Sequence, residues 1–285
     1  MDESRHVRKS NIFTEGRYRF SVNEQRILLS IISKIRIDEK EFKAYRLNWK
    51  YLRKVTKNKF SNADEYNALC ENLKNRTVLV KEGDKIHGYG FLSGWTIDPG
   101  KYIDFRIDEC MRGHLLDLLR EGRFTLYRLE CILSLSSTYS IRLYELLKSH
   151  EWKNQPVELP LSEVKWALGV TEGTKIDKRF DLFRTKVLEK ARKDLSTHTD
   201  LKFTYKKVLE LRKVVALQFN IQENTKYQKT VTSVIGKKET VRDGDRILIA
   251  GKEYQIHGDH IVLEDGIMPI GRINQLLERE AITKL

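Results

Sequence analysis

Apolar residues in the first third of the chain recur at helical spacing behind clear start signals. Ser21-Val22-Asn23-Glu24 reads as a capping box, in which Ser21 caps a new helix and Glu24 reaches back to the cap N–H. Ile27, Leu28, Ile31, Ile32 and Ile35 then make one buried stripe. Phe42 to Leu47 alternates, as a short strand does. Trp49, Leu52 and Val55 mark the inner face of a second helix. Ala63, Tyr66, Leu69, Cys70 and Leu73 mark that of a third, entered through the turn Lys57-Asn58-Lys59-Phe60-Ser61. Strand candidates follow at Thr77 to Lys81, Ile86 to Ile97 and Lys101 to Ile107, with Glu82-Gly83-Asp84-Lys85 and Asp98-Pro99-Gly100 as turns. Three helices followed by a hairpin make a winged helix, closed by one more helix over Asp108 to Leu119. This first unit spans 20–120, and the polar, basic residues 1–19 before it read as a flexible arm.

A second unit, 121–222, repeats the plan. Leu126, Leu129, Ile132 and Leu133 have helical spacing, and so do Tyr139, Leu143, Leu146 and Leu147. Between them Ser134-Leu135-Ser136-Ser137-Thr138 supplies hydroxyls that can cap the following helix, so the stretch is a helix–break–helix joint. Val157-Glu158-Leu159 is a strand-sized alternation. Ser162 is expected to cap a short helix through Leu168, closed by Gly169. The longest helix runs from Asp177 to about Ser196, with Phe180, Phe183, Val187, Leu188, Ala191 and Leu195 on its inner side. Leu201 to Val208 and Arg212 to Ile221 form a hairpin with Leu209-Glu210-Leu211 at its tip. Beyond a polar linker (222 to 232), Asp243-Gly244, Ala250-Gly251, His257-Gly258 and Asp265-Gly266 punctuate short strands at Arg246–Ala250, Glu253–His257 and His260–Leu263. A final helix is expected from Gly271 or Arg272 to Glu280. The fold class is α+β: two tandem winged-helix domains with a small β-rich C-terminal extension, 223–285 including the linker.

One run carries more than a fold. L-S-S-T-Y-S-I-R-L-Y-E-L-L-K, Leu135 to Lys148, closely resembles the signature of the iteron-binding plasmid replication initiators, theta-type proteins with two winged-helix domains. The likeness extends loosely from about Ser21 to about Ile221. It implies that the first domain is the dimerisation unit with auxiliary DNA contacts and that the second is the main DNA-binding domain. It further implies monomers on the direct repeats of an origin, helping to melt it, in equilibrium with homodimers that bind an operator and repress the protein's own gene. The host replication initiator and the replicative helicase are the protein partners it implies.

Charge agrees with a nucleic-acid partner. The 285 residues hold 53 Lys and Arg against 40 Asp and Glu, a net +13, and a protein so basic usually meets a polyanion. Double-stranded DNA fits better than an anionic membrane surface, because the basic residues are spread over helices and hairpins and form no isolated polybasic tail. The N-terminus has no signal-peptide core and no run approaches a transmembrane length, so a cytoplasmic protein is expected. Cys70, Cys110 and Cys131 lie far apart among apolar neighbours and read as reduced core thiols. No Cys/His spacing suggests zinc. There is no G-x-x-x-x-G-K-[ST] run for an ATPase, no His-x-His with a nearby tyrosine for a nicking enzyme, and no Arg and His set converging on a tyrosine. The expectation is a DNA-binding protein without catalytic activity, cofactor or metal. A transcriptional regulator of the same fold, and a nicking or recombining enzyme, are the rivals.

The candidate site lies in the second unit. The outer side of the long helix carries Lys178, Leu182, Thr185, Lys186, Glu189, Arg192 and Lys193, with Arg179 and Arg184 on its flanks, which suits a recognition helix in a major groove. Lys206, Lys207, Arg212 and Lys213 cluster near the hairpin tip, where a wing lies along the sugar–phosphate backbone. We take Lys178, Arg179, Arg184, Thr185, Lys186 and Lys193 with the four wing cations as DNA-binding candidates. The third helix of the first unit is a weaker one. Its outer face carries Asn62, Asp64, Glu65, Asn67, Glu71 and Asn72, with only Lys74 and Arg76 near its end, and carboxylates repel phosphate.

Overall fold

A computed structural model of the chain describes residues 6–36, 38–118, 124–153, 155–225 and 227, together with strand residues 246–249, 252–255, 260–263, 266–269 and 283–284. The first part runs β1 (His6–Ser10), α1 (Asn11–Glu15), α2 (Val22–Ile32), β2 (Ala44–Asn48), α3 (Trp49–Val55), α4 (Ala63–Lys74), β3 (Thr77–Glu82), β4 (Lys85–Gly90), β5 (Leu92–Asp98) and β6 (Tyr102–Ile107). A 3₁₀ turn (Glu109–Met111) and the short α5 (Arg112–Leu115) follow. The expected capping box is present: Ser21 and Glu24 bond reciprocally across the first turn of α2. Asn62 caps α4 by accepting from the Glu65 N–H at 2.9 Å. The hairpin β5–β6 joins β2 in an antiparallel sheet of order β2-β6-β5, which is the wing side of a winged helix.

The second part runs β7 (Phe124–Arg128), α6 (Leu129–Ser134), α7 (Thr138–His150), β8 (Val157–Pro160), α8 (Leu161–Ala167), α9 (Lys175–Lys178), α10 (Phe180–Phe183), a π-helical turn (Arg184–Leu188), α11 (Glu189–His198), β9 (Leu201–Glu210) and β10 (Lys213–Glu223). Its sheet has the order β8-β10-β9. In the C-terminal extension β11 (Arg246–Ile249) pairs with β12 (Lys252–Gln255) and with β15 (Thr283–Lys284), and β13 (His260–Leu263) pairs with β14 (Gly266–Pro269). The helix expected near 271–280 and most of the linker lie outside the described residues.

Several expectations are corrected. The span from Ile86 to Ile97 is not one strand: it breaks at Phe91, whose ring is fully buried, so that β3–β4 forms its own two-stranded sheet. Within the described part of the expected closing helix, Glu109–Met111 is a 3₁₀ turn and Arg112–Leu115 a single helical turn. Phe124–Arg128, read as helical, is a strand. Ser162 caps nothing: α8 starts directly after Pro160, with no side-chain cap. Cys70 and Cys131 are buried thiols, but Cys110 is exposed.

The largest correction is at the N-terminus. The segment read as a flexible arm is strand and helix from His6 onward, and β1 pairs antiparallel with β7, from His6 opposite Arg128 to Ser10 opposite Phe124. Its burial depends on charges from far along the chain. Lys9 is fully buried, 2.6 Å from Glu145 of α7. Tyr18 donates to the same carboxylate at 2.9 Å, and the Tyr127 hydroxyl of β7 donates to its other oxygen. Arg142, one turn before Glu145, bonds it at 2.5 Å. The same guanidinium donates to the carbonyls of Thr14 and Gly16, each at 2.7 Å, and of Ala167 at 3.0 Å. One arginine thus ties the N-terminal segment, the joint helix and α8 together.

Glu145 is buried, which alone would favour its neutral form, yet Lys9 and Arg142 hold its carboxyl down at about 2. Burial pulls Lys9 down to about 8, so it too stays charged at neutral pH. A close backbone approach lies beside this knot. Gly169 closes α8 with φ +66°, and a Cβ there would stand 2.6 Å from the Tyr18 carbonyl. Trp166 of α8 lies under two cations of the first part, Lys81 at 4.2 Å and Arg17 at 5.2 Å from the ring centre.

Glu145 has an ordinary value of 4.5, so its ionised form stabilises the fold above that pH, and this stability is lost as pH falls toward about 2. Glu145→Gln leaves two buried cations without their counter-charge and is expected to cost about 3–5 kcal/mol at pH 7. Thermal unfolding followed by circular dichroism from pH 7 to pH 2 checks this. The gap between wild type and variant should be widest near neutrality and narrow below pH 4.5; a gap independent of pH would mean the carboxylate is not the stabilising species.

Candidate nucleic-acid interface

The long helix is held from behind by the joint. Ser140 of α7 donates to Asp194 of α11 at 2.7 Å, and Ser134 donates to the His198 carbonyl at 3.0 Å. Asn224, just past β10, donates to the carbonyls of Ser196 and Thr199, each at 2.8 Å. Lys148 of α7, also buried, pairs with Asp200 at 3.1 Å, and Tyr144 donates to the same carboxylate at 2.9 Å. Phe183, Val187, Leu188, Ala191 and Leu195 pack inward as their spacing predicts. The side facing away from the joint is left to solvent.

The helix does not begin at Asp177. Arg179 takes an extended conformation (φ −114°, ψ 108°), which separates α9 from the helix proper. Asp177 is occupied in the preceding turn, accepting from the Gly173 N–H at 3.0 Å and pairing with Lys165 at 3.2 Å. Lys178 and Arg179 are therefore exposed ahead of the helix, and Arg179 forks onto Asp181 at 3.2 and 2.6 Å. Arg184, Thr185 and Lys186 lie exposed in the π-helical turn, where Thr185 spends its hydroxyl proton on the Asp181 carbonyl at 2.9 Å. Lys193 is exposed about two turns beyond Lys186.

Lys190 belongs to this face and was missed. It is exposed, four residues after Lys186 and three before Lys193, so the three ammonium groups follow one stripe along the helix. The same count of three and four in the sequence would have found it.

The wing carries its cations on two faces. Side chains alternate along a strand, and the buried Leu201 and Phe203 continue through Tyr205, Lys207 and Leu209. Lys207 stands opposite the buried Leu217 on that inner face, whereas Lys206 stands opposite Gln218 on the outer face. Lys213 pairs with Glu210, also on the outer side. The tip is shorter than expected: Glu210 ends β9, and the turn residues are Leu211 and Arg212, both in the left-handed region at φ 46° and 69°.

Helix and wing enclose one groove, lined by Arg184, Glu189, Arg192, Thr204, Tyr205, Lys206, Lys207 and Leu209. Glu189 stitches its two sides together, accepting from Tyr205 at 2.7 Å and from Arg192 at 2.7 Å. The Tyr205 hydrogen bond and then the Arg192 guanidinium hold this carboxyl below the usual range. By contrast Lys186, Lys190, Lys193, Lys206, Lys207, Arg212 and Lys213 make no ion pair among the described residues. Uncompensated ammonium and guanidinium groups along a helix and a blade can neutralise a row of phosphates.

The corresponding helix of the first domain differs in charge. Along α4, Asp64, Glu65, Glu71 and Asn72 are exposed, and Asn67 is held by the Trp95 indole N–H at 2.9 Å. On the neighbouring sheet Arg46 pairs with Asp104 at 2.7 Å and Lys101 with Asp98 at 3.3 Å, while Arg106 donates to the Thr96 hydroxyl at 3.3 Å. Among the described residues no helix is long and apolar enough to cross a membrane.

No curated protein sequence matches the chain. Among solved structures, that of the Pi initiator protein in complex with iteron DNA aligns with a TM-score of 0.60 at 16% identity, over 78% of this chain and 98% of that one. Domains 2 and 3 of RctB align with a TM-score of 0.44 at 17% identity, over 71% of this chain and 82% of theirs. Two family models account for both winged helices: the first, of the initiator replication protein WH1 domain, covers residues 6–148 and begins inside the segment that sequence alone left as an arm. The second, of the WH2 domain of the same proteins, covers residues 163–221. The chain belongs to the family of initiator replication proteins.

Proposed function

We propose that this initiator binds the repeated elements of a plasmid origin, its iterons, chiefly through the second winged helix. The helix spanning 180–198 enters a major groove, with Arg184, Thr185, Lys186, Lys190 and Lys193 toward the DNA. Lys178 and Arg179 approach the phosphates at its leading end, where Arg179 exchanges Asp181 for the backbone. The wing, with Lys206, Lys207, Arg212 and Lys213, lies along the sugar–phosphate backbone and fixes register. The observation that carries this reading is the cluster of exposed cations on helix and wing without carboxylate partners, set against the exposed carboxylates along α4 of the first domain and the pairs Arg46–Asp104 and Lys101–Asp98 beside it. Phosphates complete that cluster.

The first domain contributes auxiliary contacts and a homodimer interface, in keeping with its acidic α4. Monomers occupy the repeats, and binding energy is spent on bending and opening the DNA, with no covalent step. Homodimers occupy an operator and repress the gene, and the bound monomers recruit the host initiator and the replicative helicase. No cofactor or metal enters this scheme.

A mobility-shift titration with one repeat, and then with several tandem repeats from the DNA flanking the gene, tests the proposal. One additional band per repeat, persisting at moderate salt, is expected. Binding to a single inverted repeat alone would make the protein a repressor without origin activity, and equal, salt-labile binding to any duplex would remove sequence reading altogether.

The two contact classes separate by substitution. Lys186→Ala is expected to cost about 1–3 kcal/mol on the repeat and little on unrelated DNA. Lys213→Ala should weaken binding to all sequences alike and lower the salt slope by about 1. Loss of affinity from Lys186→Ala that is the same on every sequence would assign that lysine to phosphate.

A further inference from the structure

The wing ends in an apolar point. Leu211 is 97% exposed and Leu209 56%, on a blade whose other exposed residues are mostly charged. The turn is costly as well as exposed. Two-residue hairpins with both central residues at positive φ are the usual place for Asn-Gly, because a Cβ crowds the backbone there. Here Leu211 and Arg212 take those positions, at φ 46° and 69°. Neither solvation nor local backbone preference favours a leucine at this point. An outlier against both points to a contact that the isolated chain does not make.

The charges around the tip say what kind of contact. Arg212 is in the turn itself, Lys213 and Lys206 stand on the outer face, and Lys207 stands on the inner face. A blade with cations on both faces matches a slot walled by phosphates on both sides, which is the minor groove of a duplex. Proteins that bind that groove combine basic residues with an apolar side chain pushed between base steps, partly unstacking them.

We propose that Leu211, backed by Leu209, is an apolar wedge that the wing inserts into the minor groove beside the helix-bound site, partly unstacking one base step. This rests on the DNA-binding reading of the second domain and adds a specific device to it. The lysines and arginine supply the affinity, and the leucine redirects part of it into deforming the duplex. A protein that opens an origin has a use for a site that loosens stacking at the point of binding.

The replacement Leu211→Asn tests the wedge, since asparagine tolerates positive φ and keeps the turn. The probe is a set of duplexes carrying one repeat, with 2-aminopurine placed in turn at each step flanking the helix-bound segment. Wild type should raise the fluorescence at one step, reporting unstacking. L211N should lose that rise while binding within about threefold of wild type, because phosphate contacts dominate affinity. The salt slope should be the same for both. If wild type does not bind the duplex, the DNA reading fails. If wild type binds but no step brightens, or L211N brightens the step as wild type does, the wedge alone is wrong and the apolar tip belongs to a protein contact.

Discussion

The structure hangs on the ionisation of one buried carboxylate. Glu145 is fully enclosed and takes charge-assisted hydrogen bonds from Lys9 and Arg142, with the hydroxyls of Tyr18 and Tyr127 filling its remaining acceptor sites. A lone carboxylate in that position would be expelled or protonated, and two buried cations without it would be worse. Together they close a network in which each group stands where another needs it. Its members come from β1, from the segment after α1, from β7 and from α7, so the knot decides how the N-terminal strand docks and how the two winged helices abut. Arg142 extends it to Ala167 at the end of α8, within a few residues of the close approach of Gly169 to Tyr18.

The same joint helix backs the long helix of the second unit. Ser140 and Lys148 reach the long helix and the residues that follow it, so the element that fixes the inter-domain knot also fixes the helix that carries the outer cations. Rigid placement matters for reading a groove, since a recognition helix must present several side chains at once to a fixed pattern. A change in the relation of the two domains would have to break Arg142 away from the Thr14 and Gly16 carbonyls. That would leave a buried guanidinium short of partners, a cost that opposes such a change.

Much of this was legible in the sequence. The capping box at Ser21, the isoleucine stripe of α2, the serine break before α7 and the inner face of the long helix all follow from spacing and cap chemistry. What escaped depended on distance or on conformation. Lys9 reads as an exposed basic residue because its partner lies 136 positions away, and no local pattern announces that pairing. Arg179 breaks the helix although no Pro or Gly stands there to signal it. The division of Lys206 and Lys207 between two faces follows from alternation alone, and a strand reading carried through to the tip would have found it. The left-handed turn at Leu211-Arg212 would not have been found, because the residues that usually signal such a turn are absent.

Beside the cations paired at the surface, two groups of cations bear on how a chain with a net +13 holds its fold. Lys9, Arg142 and Lys148 are buried and matched to Glu145, Glu151 and Asp200, and they contribute to the fold. Lys186, Lys190, Lys193 and the wing cations stand at the surface without such partners. Their mutual repulsion works against the compact state, modestly, because water and salt screen it. A polyanion laid across helix and wing removes that repulsion and releases its own counterions in the same event. Under the proposed binding mode, binding and folding are linked through one electrostatic term: DNA would supply the counter-charge that the sequence withholds from this face and provides in the interior. Added salt supplies a weaker, unselective version of the same compensation, so under that binding mode it would compete with DNA for this surface while leaving the buried knot nearly untouched.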